Sequence, residues 1–259
     1  MTIIEAIILG LIQGLTEFLP VSSSGHIELG KAILGVDVKE SIEFTVAVHA
    51  ATVLSTMVVF RKDIMELLTG FFKFKMNLET KFVLKILLST IPVLFVGIFL
   101  KDEVEKLFDG SLLIVGAMLL VTATLLTLSK YLQRENTKPI TYRDSFIIGI
   151  AQAIAVLPGL SRSGSTISTG LILGKHRDEV AKFSFLMVII PILGAAFLDF
   201  AKGEFGTIDI MPVIAGFIAA FVSGYFACSW MVKLVRKGNL IWFAIYCAIV
   251  GLTAIIFAL

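Results

Sequence analysis

Two short polar segments interrupt apolar stretches of this sequence, and their residue types are suited to phosphate chemistry. The first segment runs from Gln13 to His26 and reads QGLTEFLPVSSSGH. Gln13 and Glu17 are four residues apart, so they share one helix face just before a break at Pro20. An ionisable side chain such as Glu17 is costly inside an apolar, membrane-type segment, and it is therefore a candidate for function.

Three serines begin the next apolar stretch: Ser22, Ser23 and Ser24. At a helix N-terminus, free backbone N–H groups and the helix dipole favour a bound anion. Serines at this position also act as ordinary helix caps, so the serines alone would not define a site. Gly25 and His26 follow within one turn, and His26 lies within reach of the same edge. The carboxylate, hydroxyls and imidazole together predict a functional site.

The second polar segment reads PGLSRSGST from Pro158 to Thr166 and offers the same kind of helix N-terminus with different charges. Arg162 stands where the first segment has Ser23. A buried guanidinium is costly unless it is paired, and its planar fork suits phosphate oxygens. An ion pair between Arg162 and Glu17 is an alternative that can coexist with ligand binding. The other candidate binding residues here are Ser161, Ser163, Gly164 and Thr166.

These segments belong to a chain that is too apolar for a soluble domain. Of its 259 residues, 57% are hydrophobic and 16% are charged. A soluble domain carries about a quarter charged residues. The net charge is +2, and no basic stripe is interleaved with aromatic residues, which argues against a nucleic-acid partner. The composition predicts a membrane as the partner.

Six apolar runs approach the length of a membrane span. Four of them are long enough outright: Phe82–Leu100, Ser111–Ser129, Met211–Val232 and Leu240–Leu259. Phe44–Phe60 and Phe183–Leu198 lie near the short limit of about 17 residues. Four shorter pieces, near 3–19, 24–35, 145–157 and 164–174, form two pairs, each broken by a proline and by serines and glycines. Each pair predicts a re-entrant helical hairpin, because irregular backbone at membrane depth must be satisfied by protein or trapped water.

The two broken pairs are copies of each other. A shift of 139 residues without gaps places Gly10–Gly35 on Gly149–Gly174. The matched polar residues and glycines include Gln13 with Gln152, Ser22 with Ser161, Ser24 with Ser163, Gly25 with Gly164 and Glu40 with Glu179. We interpret the chain as a single integral membrane domain over 1–259, with one repeat at about 1–130 and another at about 140–259. His49 lies alone on a span, where we expect a helix-packing hydrogen bond.

The fold class predicted is an all-α polytopic membrane protein with two inverted repeats. Each repeat is a re-entrant helical hairpin plus three transmembrane helices, so the second must be inverted. The distribution of basic residues supports this inversion. Fifteen Lys and Arg residues lie in the segments 61–81, 128–144, 175–182 and 233–237. Only five, all lysines, lie in the segments 28–43, 101–109 and 199–209. The positive-inside rule places the first set in the cytoplasm. Both termini are then external, and hairpin one enters from outside.

The paired motifs resemble the signatures of the undecaprenyl-diphosphate phosphatases, the bacitracin-resistance membrane proteins, over essentially the whole chain. The motifs are Gln13-xxx-Glu17, PVSSSGH from Pro20 and PGLSRSG from Pro158. The resemblance implies hydrolysis of undecaprenyl diphosphate to the monophosphate in the bacterial plasma membrane, for peptidoglycan synthesis, with bacitracin resistance. It implies an active site that opens toward the extracytoplasmic side. Many members carry Glu where this chain has Gln13. This chain therefore offers a neutral amide at that position and not a charged metal ligand.

By the same resemblance the catalytic positions are Glu17, Ser23, His26 and Arg162, with a divalent cation, Mg²⁺ or Ca²⁺, held near Glu17. The expected substrate-binding residues are Gln13, Ser22, Ser24, Gly25, Ser161, Ser163, Gly164 and Thr166. Whether Ser23, His26 or water attacks phosphorus is left open. A transporter or flippase for a lipid phosphate is the alternative function, because inverted repeats with broken helices are typical of secondary transporters. A homodimer also stays open.

Overall fold

A computed structural model of the chain describes residues 1–36, 42–100, 103–104, 111–132, 138–202, 210–238 and 240–258. Within these ranges the regular structure is helical, with one isolated bridge between Lys138 and Lys175. The helices are α1 Ile3–Phe18, α2 Ser23–Leu34, α3 Ile42–Val59, α4 Arg61–Phe71, α5 Leu78–Phe99, α6 Leu112–Leu132, α7 Tyr142–Ile154, α8 Arg162–Ile172, α9 Arg177–Met187, α10 Ile189–Lys202, α11 Ile210–Lys237 and α12 Ile241–Ala258. The predicted match of Glu40 with Glu179 includes a residue outside these ranges.

Four helices are long and apolar enough to cross a membrane, namely α5, α6, α11 and α12. They correspond to the four runs that the sequence predicts as outright spans. Helices α3 and α4 together would add a fifth, but they meet at an angle of 77°. The all-helical, polytopic membrane class is therefore confirmed for the described part of the chain.

The apolar run Phe183–Leu198 is not one continuous helix. Helix α9 ends at Met187 and α10 begins at Ile189, so the predicted span is divided. Pro191 explains the division, because a proline has no backbone N–H and its ring clashes with the carbonyl group four residues earlier, here that of Met187. The prediction of a single short span at this place was wrong in detail.

Both predicted hairpins are present as pairs of short helices, α1 with α2 and α7 with α8. Each hairpin begins with the same local device. Thr2 and Glu5 form a capping box at α1, and Thr141 and Asp144 form one at α7. In a capping box two side chains satisfy two backbone N–H groups reciprocally. The two boxes are 139 residues apart, the offset of the sequence repeat.

The hairpins pack closely on spans from the other half of the chain. A Cβ atom at Gly10 of α1 would lie 2.3 Å from the carbonyl oxygen of Gly216 in α11. At Gly149 of α7, which the repeat matches to Gly10, a Cβ would lie 2.4 Å from the carbonyl oxygen of Ser89 in α5. Small residues at such contacts let membrane helices approach each other closely.

The third spans of the two halves, α6 and α12, pack on each other through a reciprocal glycine contact. A Cβ at Gly116 would lie 2.7 Å from the Gly251 carbonyl oxygen, and a Cβ at Gly251 would lie 2.8 Å from the Gly116 oxygen. Matched contacts of this kind agree with a duplicated unit. The inverted orientation of the two halves and the sidedness of the termini stay predictions.

Substituting Gly116 by alanine should lower the unfolding temperature in detergent. The added Cβ would meet the backbone of α12, which cannot move aside as a flexible side chain can. Overpacking of this kind costs about 1–3 kcal/mol. Gly97→Ala is the matched control on a membrane helix, since a Cβ at Gly97 would meet no atom of the described residues within 4 Å. Equal unfolding temperatures for both variants would show that the α6–α12 contact is not as tight as described.

Candidate active site

A buried ion pair joins the two hairpins. Glu17 lies in the last turn of α1, and Arg162 is the first residue of α8. Arg162 Nη2 donates a hydrogen bond to Glu17 Oε1. The Glu17 side chain is only 5% exposed. Because a buried charge is strongly unfavourable without a partner, each of these residues offsets the cost of burying the other.

Three further side chains lie close to the second carboxylate oxygen of Glu17, Oε2. Ser23 Oγ donates a hydrogen bond to Oε2 over 2.5 Å, and Gln13 Nε2 donates one over 2.9 Å. His49 Nε2 lies 3.8 Å from the same oxygen. The structure thus brings together Gln13, Glu17, Ser23 and Arg162, all of which the sequence predicts as site residues.

His49 is a member of this cluster that the sequence analysis assigned to helix packing. Its Nδ1 atom does bond to the Thr45 carbonyl oxygen over 2.8 Å, as expected for a packing histidine. Its other nitrogen nevertheless faces Glu17. The available signal was its place as a polar, titratable residue inside an apolar helix, which by itself suggests function.

The serines at the two breaks serve as matched helix caps. The Ser22 hydroxyl accepts a hydrogen bond from the Gly25 backbone N–H group, and the Ser161 hydroxyl accepts one from Gly164. The Ser22 hydroxyl oxygen also lies 3.2 Å from the hydroxyl oxygen of Ser24, and that of Ser161 lies 3.3 Å from that of Ser163. The capping role that the sequence left open is therefore present at both breaks.

Ser22 differs from its repeat partner in backbone conformation. Its φ is +69°, whereas φ of Ser161 is −71°. A residue other than glycine in the left-handed region costs about 1–3 kcal/mol and persists only where the surroundings impose it. The strained residue lies in the hairpin that carries Glu17, Ser23 and His26.

Two predicted binding residues of hairpin two hold the scaffold together. Ser163 Oγ donates to the Leu19 carbonyl oxygen in hairpin one over 3.0 Å. Thr166 is fully buried, and its hydroxyl lies 2.5 Å from the Ser184 hydroxyl in α9. Ser163 therefore adds a second polar link between the hairpins, and Thr166 ties α8 to its neighbour.

His26 lies at the same hairpin but does not contact Glu17 or Ser23 by a hydrogen bond. Its Nδ1 atom is 2.8 Å from the Ser22 carbonyl oxygen, and its Nε2 atom is 2.8 Å from the hydroxyl oxygen of Tyr246 in α12. Tyr246 was missed by the sequence analysis, because no local pattern marks a tyrosine whose partner is 220 residues away.

The fold and the site define a polytopic helical membrane protein with a buried acid–guanidinium–hydroxyl cluster where two helical hairpins meet. Such a cluster is suited to binding and reacting with a phosphorylated ligand. The family model described as bacitracin resistance protein BacA matches residues 6–253. The chain belongs to this family.

Curated relatives match it from end to end. The chain is similar to a protein named undecaprenyl-diphosphatase from Bacteroides fragilis, with 58% identity over 257 residues and 97% of each chain covered. A protein of that name from Parabacteroides distasonis is 56% identical over 256 residues, which is 97% of this chain and 96% of the relative. A third, from Oceanobacillus iheyensis, is 37% identical over 268 residues, which is 99% of this chain and 97% of the relative.

Removing one partner of the Glu17–Arg162 pair should destabilise the fold more than removing both. Glu17→Gln or Arg162→Gln alone leaves a buried charge uncompensated, which costs about 3–5 kcal/mol of unfolding free energy. The double variant should recover a large part of that loss in detergent unfolding experiments. Asp63→Asn is the control, because the Asp63–Lys182 pair is partly exposed and should contribute at most about 1 kcal/mol. Additive losses in the double variant would contradict a coupled pair.

Proposed function

We propose that this chain hydrolyses undecaprenyl diphosphate to undecaprenyl phosphate and inorganic phosphate, which recycles the lipid carrier for peptidoglycan synthesis. The observation that carries the proposal is the cluster of Glu17, Ser23 and Arg162 between the two hairpins. Family membership and the name of the full-length relatives support it. We place the protein in the bacterial inner membrane, with both termini external and the site opening to the extracytoplasmic side. A homodimer is not required by this proposal.

Substrate binding is an exchange of partners at Arg162. In the resting site the guanidinium is occupied by Glu17. Two oxygens of a tetrahedral phosphate group can accept both N–H donors of a guanidinium, as the two oxygens of a carboxylate can, and a diphosphate carries more charge. An arriving diphosphate therefore takes over Arg162 and frees Glu17 for the reaction, while the N-termini of α2 and α8 favour the anion further.

Ser23 and Glu17 are arranged for proton transfer. The Ser23 hydroxyl already donates to the carboxylate over 2.5 Å, so Glu17 can take its proton or that of a water molecule held beside it. If water attacks, a P–O bond forms to the water oxygen as the anhydride P–O bond breaks, and undecaprenyl phosphate and inorganic phosphate are released. If Ser23 attacks, the lipid phosphate leaves and a phosphoserine remains, which a water molecule then hydrolyses to inorganic phosphate and the free serine. Such a transfer needs an in-line nucleophile and stabilised charge, and little else from the protein. His26, one turn from Ser23, is the proposed proton-transfer group: its unprotonated Nε2 can accept a proton and return it to the departing phosphate.

The side chains around Glu17 are compatible with a divalent cation. The described residues contain no group of three histidine, cysteine, aspartate or glutamate side chains placed to hold a metal. Mg²⁺, however, uses only one or two protein ligands where substrate phosphates supply the rest. Gln13 Oε1 is buried without a hydrogen-bond partner, which leaves it available as a neutral oxygen ligand. Glu17 and Gln13 would hold the ion through oxygen atoms, and the ion would neutralise charge developing on the phosphate oxygens.

Transport of a lipid phosphate is the second candidate function. Two broken-helix hairpins from different halves of the chain meet at one charged cluster, as in many secondary transporters. A carboxylate that accepts a proton from a serine is not needed to bind an anion, however, and this favours hydrolysis. Phosphate release by the purified protein separates the two functions.

Ser23→Ala should lower kcat for phosphate release from undecaprenyl diphosphate by about 100-fold or more, since it removes the hydroxyl bonded to Glu17. Ser129→Ala is the matched control, because the Ser129 hydroxyl bonds only to the Leu126 carbonyl oxygen of its own helix. Both variants and the wild type are assayed in detergent with added Mg²⁺. Absence of release from folded wild-type protein would exclude the hydrolase and lead to flux assays in liposomes.

Added Mg²⁺ or Ca²⁺ should raise the unfolding temperature of EDTA-treated wild-type protein, because a ligand that binds only the folded state stabilises it, by about 2.7 kcal/mol at 100 times its Kd. Glu17→Gln should remove this dependence on the cation. Glu66→Gln changes an exposed carboxylate on α4 and should keep it. The same cation response in all three proteins would rule out a site at Glu17.

A further inference from the structure

The imidazole of His26 is held at both nitrogens, and the two contacts fix which nitrogen carries the proton. The Ser22 carbonyl oxygen can only accept a hydrogen bond, so Nδ1 of His26, 2.8 Å away, carries a proton. In the neutral ring Nε2 is then the unprotonated nitrogen. The Tyr246 hydroxyl, 2.8 Å from Nε2, donates to it.

The rings of His26 and Tyr246 also lie nearly parallel to each other. The His26 and Tyr246 ring centroids are 5.6 Å apart, and the ring planes differ by only 11°. The ring orientation is set by the two hydrogen bonds, one at each nitrogen. A ring bonded at both nitrogens cannot rotate about its Cβ–Cγ bond without losing both hydrogen bonds.

Helix α12 is built to hold this contact in place. Next to Tyr246, the Cys247 thiol lies 3.5 Å from the Pro20 carbonyl oxygen at the break of hairpin one. One turn further on, Gly251 forms the close contact with Gly116 of α6. The helix is thus anchored on one side by α6 and touches hairpin one through two neighbouring side chains.

We propose that Tyr246 is a positioning residue for phosphate hydrolysis, and that its hydroxyl holds His26 with Nε2 unprotonated and directed away from the Ser22 carbonyl. This inference rests on the proposed function. Tyr246 makes no contact with Glu17 or Arg162 by a hydrogen bond or ion pair in the described structure, so it acts through His26. A phenol can donate to Nε2 when the imidazole is neutral and accept from Nε2–H when it is protonated. The same ring orientation is therefore supported in both protonation states that a proton donor must pass through.

The test is Tyr246→Phe, which removes one oxygen atom and keeps the ring. The hydroxyl is not part of the anion-binding groups, so KM should change by less than about twofold while kcat falls by about 10- to 100-fold. Tyr225→Phe is the matched control on another membrane helix, where the ring packs against Phe226. Activity is measured as phosphate release from undecaprenyl diphosphate in detergent.

A second measurement reads the contact without turnover. Nitrogen NMR of protein labelled in histidine resolves Nδ1 and Nε2 of His26, assigned with His26→Gln. In the wild type and Tyr225→Phe we expect one protonated Nδ1 and one hydrogen-bonded, unprotonated Nε2. In Tyr246→Phe the Nε2 resonance should move to the position of a nitrogen without a hydrogen-bond donor.

An unmoved Nε2 resonance in Tyr246→Phe would overturn the proposal, as would an unchanged kcat or a loss carried entirely by KM. A moved resonance together with a lowered kcat would establish it. If wild type and Tyr225→Phe also release no phosphate, the proposed function itself has failed, and the positioning role fails with it. The activities of these two proteins therefore distinguish the two failures.

Discussion

The site depends on one electrostatic constraint: a carboxylate removed from water must have a cation beside it. Glu17 is nearly inaccessible, and Arg162 from the other hairpin is the cation in contact with it. The pair therefore fixes the distance between the two hairpins as well as the charge state of the acid. A phosphate group can replace Glu17 at the guanidinium because it satisfies the same constraint from the other side. The Arg162 guanidinium therefore contributes both to the stability of the fold, through Glu17, and to the affinity for an anion.

The second constraint is the backbone, whose polar groups must be satisfied wherever the chain breaks inside an apolar environment. Ser22 and Ser161 meet it at the two breaks by capping the following helices. The Ser163 hydroxyl then satisfies the Leu19 carbonyl oxygen of the opposite hairpin. Most of the conspicuous hydroxyls are therefore used by the fold, and Ser23 is distinguished by donating to the site carboxylate instead. Counting serines in a motif overestimates how many can reach a ligand.

The elements of the site were predictable because their signals are local. Proline, serine and glycine clusters marked the ends of α1, α2, α7 and α8 within three residues of where the structure has them. The division at Val188 is also indicated by Pro191, although the run is largely apolar. His49 was marked as a candidate only by being titratable inside an apolar helix, and nothing local marks Tyr246. Their partners could not be predicted, because these contacts depend on packing between residues distant in sequence.

The two hairpins show how a duplicated unit can become an asymmetric site. The caps and the close glycine contacts recur at matched positions, because they satisfy backbone and packing requirements that both copies share. The residues that differ are Ser23 against Arg162 and Glu17 against Val156, and these differences create the ion pair and place one hydroxyl on the site carboxylate. If both copies carried the acid, two buried carboxylates would repel each other; if both carried the arginine, neither cation would be paired. A site that holds charged groups between two such hairpins therefore needs divergence at these positions, and the chemistry uses the asymmetry that charge pairing demands.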